Sequence, residues 1–166
     1  VWLGTPCSSW SRARHDIDGH GPRTRSSIYG CSGLSIADQI RVELGNQTMR
    51  TTAIIIKKCS QLSIPVCFEN PHSSLLWFAP EVARLVTKGI STTSDFCRYV
   101  TPWRKRTRVV AWIFTITRVA PDLTCNLRNG VCVRTHFKHV VLTGRCSEGN
   151  IPWTKLAEPY PRAWCT

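Results

Sequence analysis

Two short segments, residues 5–11 and residues 68–71, contain the side chains best suited to chemistry in this chain. Residues 5–11 read Thr-Pro-Cys-Ser-Ser-Trp-Ser and place Cys7 in a turn directly after an apolar run. Residues 68–71 read Phe-Glu-Asn-Pro and place Glu69 in the same kind of position. A thiolate is a strong nucleophile, and a carboxyl group can exchange a proton with a ring nitrogen. Together these two groups are what covalent chemistry on a pyrimidine ring requires.

The apolar pattern predicts the elements that position both segments. A first strand ends at Gly4, and a helix follows over residues 35–62, with Ser35 as its cap. A short buried strand over residues 65–68 then ends at Glu69. In sheets with parallel strands the active groups lie in loops at the carboxyl ends of the strands. The sequence therefore predicts that the thiol and the carboxyl group lie at one edge of a sheet.

The rest of the chain predicts a mixed architecture. Gly45-Asn46 indicates a kink in the long helix, and a basic turn covers residues 101–106. A second helix and two further strands are predicted at residues 79–88, 93–99 and 108–117. Alternating strands and helices are typical of an α/β sheet. We therefore expect an α/β core at residues 1–117, a cysteine-rich subdomain at 118–150 and a tail at 151–166.

Charge is the strongest bulk property. The chain has 22 Lys and Arg residues against 10 Asp and Glu residues, a net charge of +12. This surplus favours a polyanionic partner, nucleic acid first, over a basic surface kept only for solubility. No apolar run approaches the length of a membrane helix, and the first residues lack the basic start of a signal peptide. We therefore expect no membrane partner.

Cysteine usage predicts the redox environment. The nine cysteines are an odd number, and several of them lie inside apolar stretches, as Cys67 does. A secreted disulfide scaffold is normally shorter and has an even number of cysteines. The pattern therefore predicts free thiols in a reducing, intracellular compartment, nuclear or cytoplasmic.

With a third segment, residues 99–109, the chain resembles the cytosine-C5 DNA methyltransferases. Residues 5–11 are similar to the Pro-Cys nucleophile loop of that family, and residues 69–71 to its Glu-Asn-Val motif. Residues 99–109 resemble its Tyr-Gly-Val-Pro-Gln-x-Arg-x-Arg-Val segment, with one extra residue before the arginines. The three motifs follow the family's order over residues 1–115. The Gly-rich turn that binds the methyl donor is absent, so the resemblance implies the catalytic half of a Rossmann-like methyltransferase sheet.

The resemblance also implies residue roles. Cys7 would add to C6 of cytosine, Glu69 would bond N3, and Arg106 and Arg108 would hold the base. Other residues of these segments are expected to contact the substrate or its surroundings: Pro6, Ser11, Arg12, Arg14 and Asn70. Arg12 and Arg14 would also lower the pKa of the thiol. The substrate would be DNA with the target base flipped out of the duplex, and S-adenosylmethionine would be the methyl donor.

Each of these residues also has an ordinary structural interpretation. Cys7 alone would more often be a buried thiol, and Glu69 alone would more often cap a turn or pair with an arginine. The ordered coincidence of three motifs favours the methyltransferase. Two alternative functions remain open: a catalytically inactive nucleic-acid-binding remnant, and a zinc-stabilised interaction module.

The cysteine-rich segment predicts a metal site. Four residues recur at intervals of seven, with His136 as an alternative ligand: Cys125, Cys132, His139 and Cys146. Three thiols and one imidazole suit a closed tetrahedral zinc site, while separate buried thiols are the alternative. The basic residues of this segment are expected to contact DNA: Arg128, Arg134, Lys138 and Arg145.

Overall fold

The computed structural model describes residues 1–12, 21–113, 123–126, 128–147 and 149–165. Its centre is a four-stranded sheet in the order β1-β2-β4-β3. The strands are β1 (Trp2–Gly4), β2 (Val66–Pro71), β3 (Ile90–Asp95) and β4 (Arg106–Trp112). β1 and β2 are parallel, whereas β4 lies antiparallel between β2 and β3. The predicted α/β class with a partly parallel sheet is confirmed.

Helix α1 (Ile36–Gln61) connects the two parallel strands. The predicted cap is confirmed, because the Ser35 side chain accepts a hydrogen bond of 3.2 Å from the amide of Asp38. The predicted kink at Gly45 is wrong, because the helix is continuous through it. Glycine occurs there because a Cβ atom would come within 2.9 Å of the Arg23 guanidinium and even closer to the hydroxyl of Ser9.

Two shorter helices complete the described elements: α2 (Pro80–Val86) and α3 (Trp153–Leu156). The strand predicted at residues 93–99 is shifted, since β3 ends at Asp95 and residues 96–99 form a 3₁₀ turn. That turn closes with Val100 in a left-handed conformation (φ 71°). The strand predicted at residues 108–117 begins earlier, at Arg106, and ends at Trp112. Residues 114–117 lie outside the described ranges.

The sheet buries both of its faces. Side chains alternate between the faces along each strand. Phe68 and Val110 point toward α1, α2 and the turn at residues 75–78, where Trp77 lies, and form the main core. Cys67, Val109 and Ala111 point to the opposite face, which Trp164 of the tail covers. The tail therefore packs on the sheet, on the face where Glu69 also lies.

The cysteine-rich segment contributes few regular elements. Within its described residues it contains a 3₁₀ turn at Arg128–Gly130 and isolated bridges between Val131 and Lys138 and between Arg145 and Pro152. Among the described helices, none is both long enough and apolar enough to cross a membrane.

Candidate active site and metal centre

The loop after β1 places Cys7 at the carboxyl end of that strand. The carbonyl oxygen of Cys7 accepts hydrogen bonds from the amides of Trp10 (3.0 Å) and Ser11 (2.8 Å), which closes a tight turn. The preceding Thr5 is held twice. Its hydroxyl lies 2.6 Å from the hydroxyl of Thr52 in α1, and its carbonyl accepts a 2.7 Å bond from the side-chain amide of Asn70 in β2. Sheet and helix together therefore hold the loop that contains the thiol.

Buried Arg23 anchors the far end of the same loop. Its guanidinium donates to the Ser9 hydroxyl (3.1 Å), to the Asn46 side chain (2.8 Å) and to the Val42 carbonyl (2.8 Å). It also stacks over the ring of Trp10, 3.5 Å from the ring centroid. Burial lowers the pKa of Arg23 to about 10, so the group still carries its charge at neutral pH. Because this loop approaches α1 so closely, position 45 has no room for a side chain and is a glycine.

Glu69 occupies the neighbouring strand β2, with only 6% of its surface exposed. Its Oε2 atom accepts a 2.6 Å hydrogen bond from the hydroxyl of Tyr160, which comes from the tail. Burial raises the pKa of Glu69, while the Tyr160 hydrogen bond and the charge of Lys105 lower it, and the net shift is upward. The carboxyl group therefore holds its proton to higher pH than an ordinary glutamate.

Cys7 and Glu69 line one cleft of about 380 Å³, as the sequence predicts. Side chains from the loop after β1, from strand β2, from the turn before β4 and from the tail form its walls. The lining residues are Gly4, Thr5, Pro6, Cys7, Ser8, Glu69, Pro71, Lys105, Glu158 and Tyr160. A thiol, a carboxyl group, a phenol and an ammonium group thus face one space large enough for a small planar ring.

The environment of the thiol is not the one that the sequence predicts. Burial raises the pKa of Cys7, and the charge of Lys105 is the main influence that lowers it. Arg12, expected to activate the thiol, is exposed and does not line the cleft. Arg14 lies outside the described residues. Among the residues that the structure describes, the cation beside the thiol is Lys105.

Arg106 and Arg108 do not line the cleft. Alternation along β4 points both side chains to the face opposite Glu69, because Glu69 pairs with the intervening residue Val109. Arg106 forms a two-bond ion pair with the buried carboxylate of Asp95 (2.9 and 2.8 Å). Arg108 donates to the Ser91 hydroxyl at 2.9 Å and lies over the Trp77 ring. The two arginines were predicted in a base pocket, but they lie on the other face of the sheet. A displacement of one residue along β4 accounts for the difference.

Lys105 is a cleft residue that the sequence interpretation missed. Its ammonium group lies in the cleft and donates a 2.8 Å bond to the Ala157 carbonyl. The signal was available in the motif itself. If residues 99–109 are aligned without an extra residue, Lys105 and Thr107 take the places of the two family arginines. Thr107 has the strand parity of Glu69, so this alignment agrees with the sheet.

The other predicted substrate contacts have mixed positions. Pro6 lines the cleft. Asn70 is fully buried and braces Thr5 from behind, and Ser11 takes part in the turn that follows Cys7. Neither of these two side chains is part of the cleft wall. Their contribution is to position the thiol.

A second group of side chains forms a compact centre at the end of the sheet. The ligand atoms of Cys97, Cys125, Cys132 and His139 all lie within 4.8 Å of one another. The Cys125 sulfur is 3.7 Å from Nε2 of His139. A tetrahedral zinc ion with bonds of about 2.3 Å to sulfur separates its ligand atoms by roughly 3.8 Å. This Cys₃His group could bind a metal ion.

Backbone amides donate hydrogen bonds to two of these sulfurs. The amide of Val133 donates to the sulfur of Cys125 (3.3 Å), and the amide of Arg134 donates to that of Cys132 (3.5 Å). Although burial raises the pKa of Cys132, hydrogen bonds from the amides of Thr135 and Arg134 and from the side chains of Thr135 and His139 together outweigh it and bring the pKa down to about 6. Amide-to-sulfur bonds of this kind stabilise negative charge on sulfur before a cation arrives.

The fourth residue of this group is Cys97, whereas Cys146, which the spacing predicts, is not part of it. Cys97 lies in the 3₁₀ turn that follows β3 and is fully buried, whereas Cys146 is half-buried and its amide donates to the Ile151 carbonyl. Even spacing along the sequence suggested Cys146, but the 3₁₀ turn after β3 brings Cys97 to the group. The amide of Cys125 donates a 2.6 Å bond to Asp95, the last residue of β3, which ties the segment to the strand just before Cys97. His136, the alternative ligand, is exposed.

Comparison with protein-family models, with curated proteins and with solved structures finds no match to this chain.

Proposed function

We propose that this chain is the base-facing part of a cytosine-C5 methyltransferase-like domain that acts on DNA. The observation that carries the proposal is the meeting of the Cys7 thiol and the Glu69 carboxyl group in one cleft. They come from two segments far apart in the chain, and each was singled out by the motif that resembles this family.

The fold supports the proposal at the level of topology. β1, α1 and β2 form a parallel strand–helix–strand unit, and the loop after β1 and the carboxyl half of β2 supply the cleft. In open sheets of this kind ligands bind outside the carboxyl ends of the strands. We propose that the sheet is part of a Rossmann-like methyltransferase sheet.

The steps at the base follow from these side chains. The thiolate of Cys7 adds to C6 of cytosine, which makes C5 electron-rich and nucleophilic. Glu69, whose pKa is raised by burial, donates a proton to N3 and accepts a hydrogen bond from the exocyclic amine. Lys105 supplies positive charge to the thiolate and to the carbonyl edge of the ring. A base inside a duplex is out of reach of this cleft, so the base must be flipped.

S-adenosylmethionine supplies an electrophilic methyl group in this chemistry. The Gly-rich motif with which the family binds this donor does not occur in residues 1–166. The proposal therefore concerns the addition step at C6 and the recognition of cytosine.

One observation favours the alternative, an inactive nucleic-acid-binding remnant. Burial raises the pKa of Cys7, so that less thiolate is present at neutral pH than in a typical activated cysteine. On this alternative the basic surface and the cysteine-rich segment remain useful while the thiol does not react.

We also propose that the Cys₃His group binds zinc as a closed structural site. Three sulfurs and one imidazole nitrogen are a common structural zinc set, and an ion there would hold a segment with few apolar contacts. The free state of all nine cysteines agrees with a reducing, intracellular compartment.

The deciding experiment is covalent trapping with an oligonucleotide that carries a mispaired 5-azacytosine. This base accepts a thiolate at C6 without a methyl donor, and mispairing lowers the cost of flipping. We expect a denaturant-resistant adduct that peptide mapping locates at Cys7. Cys7→Ser should abolish the adduct, and Glu69→Gln should slow its formation by about 100-fold or more. Cys31→Ser is the control, because Cys31 lies outside the cleft.

The outcomes separate the two functions. A wild-type protein that binds the oligonucleotide but forms no adduct, with or without S-adenosylmethionine, supports the remnant. An adduct that persists in Cys7→Ser contradicts the assigned nucleophile.

A further inference from the structure

The loop between the two metal-site residues Cys132 and His139 is built as a rigid tip, and we call residues 132–139 the tip loop. The amide of Cys132 donates to the carbonyl of Phe137 (2.8 Å), and the amide of His136 donates to the carbonyl of Cys132 (2.9 Å). His136 takes a left-handed conformation (φ 60°), which turns the chain sharply before Phe137. The Cys₃His group and these bonds together fix both ends of the loop.

The outer surface of the tip loop combines an aromatic ring with positive charge. Phe137 is 78% exposed, the largest exposed fraction among the large apolar side chains of the described residues. Arg134 and Lys138, on either side of it in the chain, are also exposed. From residue 123 to residue 147 the sequence contains four Lys or Arg residues and no Asp or Glu. An exposed aromatic ring flanked by cations does not complement a protein surface without acidic groups. It complements a polyanion that carries planar rings, which can offer both negative charge and a stacking partner.

We propose that the tip loop binds DNA, with Phe137 stacked on a base and Arg134 and Lys138 on the adjoining phosphates. Aromatic rings held in a basic surface bind unpaired or partly unstacked bases with little sequence preference, because every base presents a π face. The choice of DNA as the polyanion rests on the proposed function. The stacking itself does not require a reactive thiol.

The tip loop is attached to the same turn that supplies the cation of the cleft. The amide of Val140, next to His139, donates a 2.9 Å bond to the carbonyl of Pro102 in the turn before β4. Lys105 at the end of this turn lines the cleft. A DNA strand bound at the tip loop would therefore contact an element that is hydrogen-bonded to the turn bordering the Cys7 cleft. Stacking there would hold the strand beside the flipped base.

The test is binding of a fluorescent single-stranded oligonucleotide to the full chain loaded with zinc, measured by anisotropy over a series of salt concentrations. Phe137→Ala should weaken binding by about 10- to 100-fold at constant salt slope. Arg134→Gln and Lys138→Gln should each lower the salt slope by about one. Because Phe137 is exposed, its replacement should leave the thermal unfolding midpoint unchanged.

Two matched controls isolate the ring. Val141→Ala removes a comparably exposed apolar side chain (68%) just outside the tip loop and should leave binding unchanged. Inorganic polyphosphate carries the charge of the strand without bases, so Phe137→Ala should not weaken its binding. Equal binding of the oligonucleotide by wild type and Phe137→Ala would overturn the proposal. An equal loss of affinity for the oligonucleotide and for polyphosphate would also overturn it. So would a Phe137→Ala variant that loses affinity for phosphatidylserine vesicles, measured in parallel, but not for the oligonucleotide.

These results are independent of the trapping experiment. An adduct at Cys7 together with unchanged binding by Phe137→Ala would retain the proposed function and reject the tip loop. Weaker oligonucleotide binding by Phe137→Ala, together with no adduct in the wild type, would retain the tip loop as a DNA-binding element and reject the proposed chemistry at Cys7.

Discussion

The cleft around Cys7 and the Cys₃His group use the same functional group in opposite ways. In the cleft a single thiol lies half-buried beside Lys105, and burial raises its pKa. In the Cys₃His group three buried thiols and an imidazole lie within 4.8 Å of one another, and hydrogen bonds from amides and side chains bring the pKa of Cys132 down to about 6. The cleft has open space in front of the sulfur, whereas the group encloses a space of ionic size. Neighbours, and not the residue type, give these thiols their different environments.

The two regions also differ in how they are held. The cleft loop is anchored by side chains of α1 and β2, elements with a large shared core. The Cys₃His group has only a small apolar cluster formed by its own cysteines with Val133. Removal of an ion bound by this group would therefore affect the second region far more than the first. Experiments that perturb each region separately can test whether the two regions differ in this way.

The largest expected effect is loss of a metal ligand. Cys97→Ser should lower zinc affinity by at least about 100-fold, because it removes a direct ligand where even outer contacts are worth 10- to 100-fold. Cys146→Ser is the matched control and should leave affinity unchanged. Competition with a chromophoric chelator measures both. Equal losses in the two variants, or none in either, would contradict the assigned ligand set.

A smaller effect is expected at the anchor of the cleft loop. Gly45→Ala places a Cβ atom against Ser9 and Arg23, and it should lower the free energy of unfolding by about 1–3 kcal/mol. Thr51→Ala, exposed on the same helix, should change it by less than about 0.5 kcal/mol. Urea unfolding gives both values. A neutral Gly45→Ala would mean that the loop does not approach the helix this closely.

The smallest effect concerns the charge of Lys105. The alkylation rate of Cys7 by iodoacetamide should keep rising above about pH 8.5, the usual midpoint of a thiol, because the pKa of Cys7 is raised. Lys105→Met removes the charge that favours the thiolate, so the rate at pH 8.5 should fall by roughly two- to fivefold, the size of one solvent-screened charge.

Lys105→Arg and Lys88→Met are the controls for that measurement. The first keeps the charge in the cleft, and the second removes an exposed charge elsewhere. Both should retain the wild-type pH profile. A profile of Lys105→Met that coincides with the wild type would remove Lys105 from the cleft chemistry.

Local pattern was sufficient where the determining interactions are local. The helix over residues 36–61 with its Ser35 cap follows from apolar spacing and a nearby hydroxyl, both readable within a few residues. The turn after β1 and the buried strand β2 follow in the same way. Placement of Cys7 and Glu69 in one cleft required only the rule that functional groups gather at the carboxyl ends of parallel strands.

Register and long-range approach were not readable from the pattern. One residue of displacement along β4 exchanges its two faces, which is why Lys105, and not Arg106 or Arg108, lies with Glu69. The predicted kink at Gly45 was wrong because glycine is required there by the close approach of side chains from another loop, Ser9 and Arg23.

The amino-acid sequence by itself determined the mixed α/β class, the basic character, the thiol and the carboxyl group of the cleft, and three of the four residues of the Cys₃His group. These depend on residue type and on contacts between near neighbours in the chain. Only the tertiary structure decided that Cys97 completes the group and that Tyr160 of the tail bonds Glu69. Both contacts join residues from separate parts of the chain, and the packing of the sheet, which no local pattern encodes, sets their distance.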